Sequence, residues 1–303
     1  FPTTPFSYDT TFNGGYSFPI SGLGVTFPNG SDIFVSKISV NGGVLLSSTF
    51  LGGTSNDGLN LANKLNFNYA DEVRGEIEID NENNIYIATS TKSKDFPTTT
   101  NSFQPNASLA QEGCIVKMDN NLTTIIWSSY LGANNQDAIY SIAVTKNNDI
   151  YVCGGTTSSE FPTTNNAYEA NYLDSLKSDA FVSMINSEGT EIKFSSFFGS
   201  NEYDQAYFVE IGKNKDIYLF GQTEALERTL IFNSNYYQLN GGQFISIFSE
   251  DLSQLKKSTV IGTGKGGPDI SPTAFLIDHC NRVYLTGWGS QDANLGWQLS
   301  TLN

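Results

Sequence analysis

Four stretches of the chain share one cadence: IDNENNIYIATST, VTKNNDIYVCGGT, IGKNKDIYLFGQT and IDHCNRVYLTGWG. Their tyrosines, Tyr86, Tyr151, Tyr218 and Tyr284, are separated by 65, 67 and 66 residues in a chain that holds only 15 tyrosines. Spacing that even marks structural repeats, in which each unit hides its apolar faces against its neighbours.

Each unit carries four strand signals. The first is a short apolar strand: Ile77 and Ile79, Ile142 and Val144, Val209 and Ile211, Phe275 and Ile277. A four-residue turn of Asn, Asp and Lys joins it to the tyrosine strand, which is hairpin chemistry. The third strand reads DIFVSKIS from Asp32, EGCIVKMD from Glu112, DAFVSMIN from Asp179 and GQFISIFS from Gly242. The fourth reads LLSSTFLGG, IIWSSYLGA, IKFSSFFGS and LKKSTVIGT. It keeps the hydroxyl pairs Ser48/Thr49, Ser128/Ser129, Ser195/Ser196 and Ser258/Thr259 in register, followed by Gly52, Gly132, Gly199 or Gly262. A four-stranded meander with two apolar faces hides both only if its copies stack around an axis. The expected fold is all-β, a β-propeller of four-stranded antiparallel blades.

Composition agrees and excludes some partners. Aromatic residues make up 13% of the chain and charged residues only 16%, the balance of short strands joined by polar turns. A net charge of −15 repels nucleic acid and anionic lipid, and no apolar run is long enough to span a bilayer. Cys114, Cys153 and Cys280 show no paired spacing and read as free thiols.

A long loop follows the tyrosine strand and opens with FPTT at Phe1, Phe96 and Phe161, with TLIF around Leu230 in the equivalent place. Pro97 and Pro162 stop the ladder, and the Phe is expected to pack on the blade edge rather than meet a ligand. DAFVSMI, SSFFGS, NNIYIATST and DFPTT resemble the bacterial SBBP repeat. FLIDHCNRVYLTGWGS resembles the propeller segments of large exported proteins of gliding bacteria. The resemblance spans residues 1 to 290 and implies the fold. Through the exported proteins it also implies a place on the outer surface of a Gram-negative cell that uses type IX secretion. It implies no catalytic set. The chain departs from the pattern in its third unit, where FPTT is lost, and in its first, where an insertion includes LNLANKLNFNYA.

Complete blades are expected at 72–132, 138–199 and 205–262. A third-and-fourth-strand half-blade is expected at 31–53 and a first-and-second-strand half-blade at 273–288. The halves are complementary and could close a four-bladed ring. The favoured expectation is instead a segment of a longer polypeptide, since the chain opens and stops within linkers.

The meander sends the loops after the second and fourth strands to one face and the turns after the first and third to the other. Asp57, Asp137, Asp204 and Asp269 follow the glycines on the loop face, where Tyr168 and Tyr172 of a long loop also lie; this is the candidate binding face. The aspartates could form a ring of oxygen ligands for Ca²⁺, the one cofactor that the sequence suggests. Turn organisation by each Asp is the simpler reading. Tyr168, Tyr172, Tyr236 and Tyr237 could stack on sugars or pack back onto their own blades. His279 and Cys280 share a turn tip on the opposite face and cannot make a zinc site alone. Thr10 and Ser175, in DTT and DSL, match the Asp-Ser/Thr-apolar O-glycan acceptor pattern associated with bacteria of this kind.

The leading expectation is a non-enzymatic, extracellular propeller scaffold of a large exported surface protein. It would contact other cell-surface or secretion-system proteins, or glycans, in adhesion or gliding. The rivals are a carbohydrate-active enzyme, a lyase or glycosidase with paired carboxylates, and a calcium-dependent lectin. Buried acids of raised pKa in a central pocket favour the enzyme, and shallow pockets lined by Tyr or Trp favour the lectin.

Overall fold

The computed structural model describes residues 1–20, 25–68, 70–108, 110–173 and 176–289. Three four-stranded antiparallel sheets form complete blades, each strand pairing with the next in sequence. The first blade consists of β5 (Glu76–Ile79), β6 (Ile85–Thr91), β7 (Glu112–Met118) and β8 (Ile125–Leu131). The second consists of β9 (Asp137–Val144), β10 (Ile150–Thr156), β11 (Asp179–Ile185) and β12 (Ile192–Phe198). The third consists of β13 (Asp204–Ile211), β14 (Ile217–Thr223), β15 (Gln243–Phe248) and β16 (Leu255–Ile261). Two-stranded half-blades flank them: β3 (Ile33–Ile38) with β4 (Leu45–Leu51), and β17 (Ser271–Ile277) with β18 (Val283–Trp288). A short hairpin, β1 (Phe18–Ile20) and β2 (Val25–Phe27), precedes them. Among the described residues no helix is long and apolar enough to cross a membrane.

The sheets are propeller blades because the core lies between them rather than within them. One cluster joins the first half-blade to the first blade through Val35, Leu51, Ile87 and Val116. The next joins the first blade to the second through Tyr86, Trp127, Ile142 and Phe181. A third joins the second blade to the third through Tyr151, Val182, Leu219 and Phe244. Phe220 of the third blade stacks on Phe275 of β17, ring centroids 5.4 Å apart. Both faces of the second strand are therefore covered; β6, β10 and β14 are buried along their whole length. That burial makes the tyrosine strand the part of the repeat that varies least in the sequence.

The turns repeat at atomic detail. Asn83, Asn148, Lys215 and Asn281 hold the same left-handed position between first and second strands, with φ of 60 to 63°. Asn tolerates that conformation well, and Lys215 is the residue that departs from it. Between third and fourth strands the left-handed position belongs to Gly42, Leu122, Gly189 and Leu252.

The hydroxyl pairs divide two duties. Ser48, Ser195 and Ser258 share 2.8 to 2.9 Å hydrogen bonds with Ser36, Ser183 and Ser246 across the third and fourth strands. The second hydroxyl holds the long loop: Thr49 donates to the Asp9 carbonyl, Ser129 to Gln104, Ser196 to Glu169 and Thr259 to Tyr236. Backbone bonds add to this, Thr4, Thr99, Thr164 and Phe232 donating to Ser48, Ser128, Ser195 and Ser258. Each long loop thus covers an outer edge strand that would otherwise present free amides and carbonyls. It also reaches the next blade. Tyr8, Phe103 and Tyr168 donate their amides to the carbonyls of Leu122, Gly189 and Leu252, the left-handed residues of the neighbouring turns. The loops therefore start on the expected face and then run down the outer edge, rather than gathering above it.

Candidate functional site

Asp57, Asp137 and Asp204 are buried at the junctions between blades. Asp137 accepts the Ala133 amide at 2.8 Å from the linker that follows β8, the Ser158 hydroxyl at 2.9 Å, and the Thr156 hydroxyl from the end of β10. Asp57 repeats the arrangement with the Gly53 amide and the Ser93 hydroxyl, both at 2.8 Å, and the Thr91 hydroxyl. Asp204 takes the amide and hydroxyl of Ser200 at 2.6 and 2.8 Å and sits in register opposite Thr223. Asp269, half-buried, accepts the Thr263 amide at 2.5 Å. Each carboxylate ties the exit of one blade to the entry of the next.

This geometry accounts for the glycines. A Cβ at Gly132 would lie 2.6 Å from Asp137 Oδ2 and 3.0 Å from Glu112 Cγ, and one at Gly52 would lie 2.7 Å from Asp57 Oδ2. Burial pushes the Asp57 carboxyl up to about 6 and the Asp137 carboxyl up to about 7, against the hydrogen bonds that favour their ionised forms. Burial also pushes Asp204 well above the usual carboxylate range. The four aspartates do not come together. Each belongs to its own latch, and among the described residues no three His, Cys, Asp or Glu side chains are grouped to hold a metal. The turn-organising role describes what these side chains do in the structure.

Tyr168 is partly exposed, with its ring edge on Phe248 of the next blade at 5.6 Å. Tyr172 packs edge-on against Phe197 at 5.6 Å and donates its hydroxyl to the Lys177 carbonyl. Tyr237 accepts a hydrogen bond from Arg228 at 2.6 Å. Phe96 and Phe161 are buried, whereas Phe1 stacks on Phe34 at 3.9 Å in the open first half-blade. Thr10 is exposed, and Ser175 lies outside the described residues.

The feature that sequence reasoning did not place is the insertion. Residues 59–68 and 70–75 leave the Asp57 latch and fold across the inner strands at the loop-face end of the axis, where Ala62 and Leu65 are buried with Ala138, Tyr140 and Tyr207. The stacked rings of Tyr140 and Tyr207, 5.1 Å apart, form the floor. Polar contacts then fix the segment to all three complete blades. Asn60 donates to the Tyr140 hydroxyl at 3.1 Å and accepts from Gln111 at 2.8 Å. The Tyr140 hydroxyl donates to the Leu65 carbonyl or Gln205 Oε1, at 2.7 and 2.6 Å. Asn68 and Gln222 exchange reciprocal amide bonds of 2.8 and 2.9 Å. Asp71, in a single 3-10 turn, accepts the Tyr207 hydroxyl at 2.9 Å and lies 3.5 Å from Arg74, whose guanidinium sits 4.6 Å above the Tyr207 ring. Satisfied at this density, such a network rigidifies the segment it holds.

Below the insertion, Glu76 of β5 accepts the Ser141 hydroxyl at 2.6 Å and the Ile142 amide at 2.9 Å. Burial, with Glu76 and Glu78 nearby, pushes the Glu210 carboxyl up to about 7, and burial raises Glu78 as well. On the opposite face a cleft of about 660 Å³ opens between the turns of β9–β10, β13–β14 and β17–β18, lined by Lys146, Lys213, Lys215 and His279 among others. Cys280 lies beside it, exposed.

Residues 126–162, from β8 through the second blade's first hairpin to its FPTT, match the family model of a β-propeller repeat, SBBP. A search of curated proteins finds no match to the chain.

Proposed function

We propose that this propeller is a non-enzymatic scaffold of an exported cell-surface protein, presenting rigid loops and blade edges to other surface or secretion-system proteins. The observation that carries the reading is the occupied axis. The described residues of the segment, 59–68 and 70–75, fill the loop-face end, where an open propeller would admit a small substrate, and their polar groups bond to Gln111, Tyr140, Tyr207 and Gln222. The long loops are likewise fixed, to their own outer strand and to the next blade, which suits a surface that must be pre-formed before a partner arrives. A net charge of −15 adds repulsion from anionic surfaces and leaves proteins and neutral glycans as the compatible partners.

The test uses intact source cells. Brief protease treatment should remove the protein from outside, and chemical crosslinking before lysis should join it to envelope proteins. Full protection in intact cells, with release only on lysis, would overturn the surface location. A glycosidase or lyase remains the second reading because of the raised carboxyls of Glu78 and Glu210 near the axis. Turnover of any polysaccharide that is abolished by Glu210→Gln would establish it in place of the scaffold.

A further inference from the structure

Among the described residues, no strand pairs with β3 on its side away from β4, or with β18 on its side away from β17. Their apolar side chains are correspondingly open, with Phe34 51% and Trp288 68% exposed, and Ile77 on the adjacent face of β5 56% exposed. A cleft of about 380 Å³ lined by Ile33, Phe34, Val35, Val73 and Ile77 marks the place where two inner strands of that blade would pack.

The repeat supplies the register such strands would take. In the complete blades the tyrosine of the second strand pairs with a fixed residue of the third: Tyr86 with Lys117, Tyr151 with Met184, Tyr218 with Ile247. Continued to the half-blades, that register sets Tyr284 opposite Lys37 and Gly287 opposite Phe34.

Two features of the chain match at those positions. In the first blade Lys117 forms an ion pair with Asp80 at 3.2 Å and lies 4.9 Å over the ring of Tyr86, whose hydroxyl also reaches Asp80. The other complete blades have Thr145 and Gly212 where Asp80 stands, and Met184 and Ile247 in place of the lysine, so the acid and the lysine are present or absent together. The half-blades hold both, but apart. Asp278 accepts the Tyr284 hydroxyl at 3.2 Å as Asp80 does that of Tyr86, while the Lys37 amine rests on Asn120.

The second match is steric. A Cβ at Gly154 would come within 3.0 Å of the Phe181 ring, and one at Gly221 within 2.4 Å of the Phe244 ring. Where the third strand has Cys114, the second has Thr89. Gly287 and Phe34 follow the glycine–phenylalanine rule, although the same glycine also clears the bulged inner strand of its blade.

We infer that β18 pairs antiparallel with β3 of the same chain, so that β17, β18, β3 and β4 make a fourth blade held by a Lys37–Asp278–Tyr284 cluster. The same chain is favoured over a second copy because Arg74, just before β5, already donates to the Pro272 carbonyl of β17 at 3.1 Å. One side chain thus already spans the gap between the first and last inner strands.

Zero-length carbodiimide crosslinking of the 303-residue chain, followed by peptide mass spectrometry, tests the pairing. An equal mixture of unlabelled and ¹⁵N-labelled protein separates bonds within a chain from bonds between chains. The Lys117–Asp80 pair of the first blade, 3.2 Å apart and as buried as the proposed pair would be, serves as the internal control. The expected result is a Lys37–Asp278 crosslink confined to singly labelled species. Formation of the control without this crosslink, or its appearance mainly in mixed-label pairs, would overturn the inference. A second readout is charge exchange. Lys37→Glu should lower the melting temperature and adding Asp278→Lys should restore most of the loss, whereas a lysine that serves only Asn120 would show no rescue.

Discussion

Replacing Asp137 by Asn should remove a specific part of the protein's pH dependence. The carboxyl is fully buried and held at about 7 in the folded state, against its ordinary value of 3.8. A carboxyl raised in this way disfavours the fold above its folded pKa, where it must be buried as an anion. The penalty is relieved as pH falls through 7, and relief is complete near the unfolded value. One unit of displacement is worth 1.36 kcal/mol, so lowering the pH from 8 to 6 should stabilise the wild type through this group by about 1.3 kcal/mol, and a fall to pH 5 by about 2.7 kcal/mol. Asp57 and Asp204 act in the same direction, while Asp80, Asp119 and Asp278, whose pKa values are lowered, act oppositely. The difference between wild type and variant isolates position 137. Urea unfolding of both proteins at pH 8, 7, 6 and 5 should show the wild type gaining about 2.7 kcal/mol on the variant as the pH falls from 8 to 5. Asn retains one acceptor oxygen for the latch, so the variant should fold. Curves that stay parallel over the whole range would refute the assignment of a raised, buried carboxyl to this latch.

Other predictions follow from the packing. Gly154→Ala would put a Cβ 1.9 Å from the Ala138 carbonyl oxygen, and should destabilise the protein by about 3 kcal/mol or more in chemical denaturation. Tyr207→Phe removes a hydroxyl bonded to Asp71, Asn68 and Tyr203, and should cost about 1–3 kcal/mol while exposing residues 59–75 to faster proteolysis. Of the three thiols only Cys280 should react rapidly with a maleimide in the folded protein. Cys114 and Cys153 are buried with their pKa pushed up, and should label only on unfolding.

The complete blades were legible in the sequence because burial on both faces restricts their tyrosine strands so strongly that the copies still align. The aspartates were legible as positions in turns but not as latches between blades. Whether Asp137 meets a ligand or a latch depends on Ala133, Thr156 and Ser158, which arrive from a linker, a strand end and a loop, and no local spacing reveals their convergence. The insertion was visible only as a departure from the repeat, since it has no counterpart from which to infer a position. Its one usable signal lay elsewhere: Gln205, near the start of β13, and Gln222, near the end of β14, are fully buried, which calls for partners of their own. The long loops were placed on the correct starting face. Their descent along the outer strand follows from the second hydroxyl of each Ser/Thr pair, a residue that reads from sequence as ordinary strand polarity.

Hydrogen exchange of the native chain, resolved by peptide mass spectrometry, most directly tests the claim that the loop face is a rigid platform with a filled axis. Residues 59–75 and the long loops at 96–108 and 161–173 should exchange far more slowly than unstructured peptides, with 59–75 approaching the protection of β9 and β13 beneath it. Exchange of 59–75 at the rate of a free loop, while the blades remain protected, would show an open axis and contradict the account.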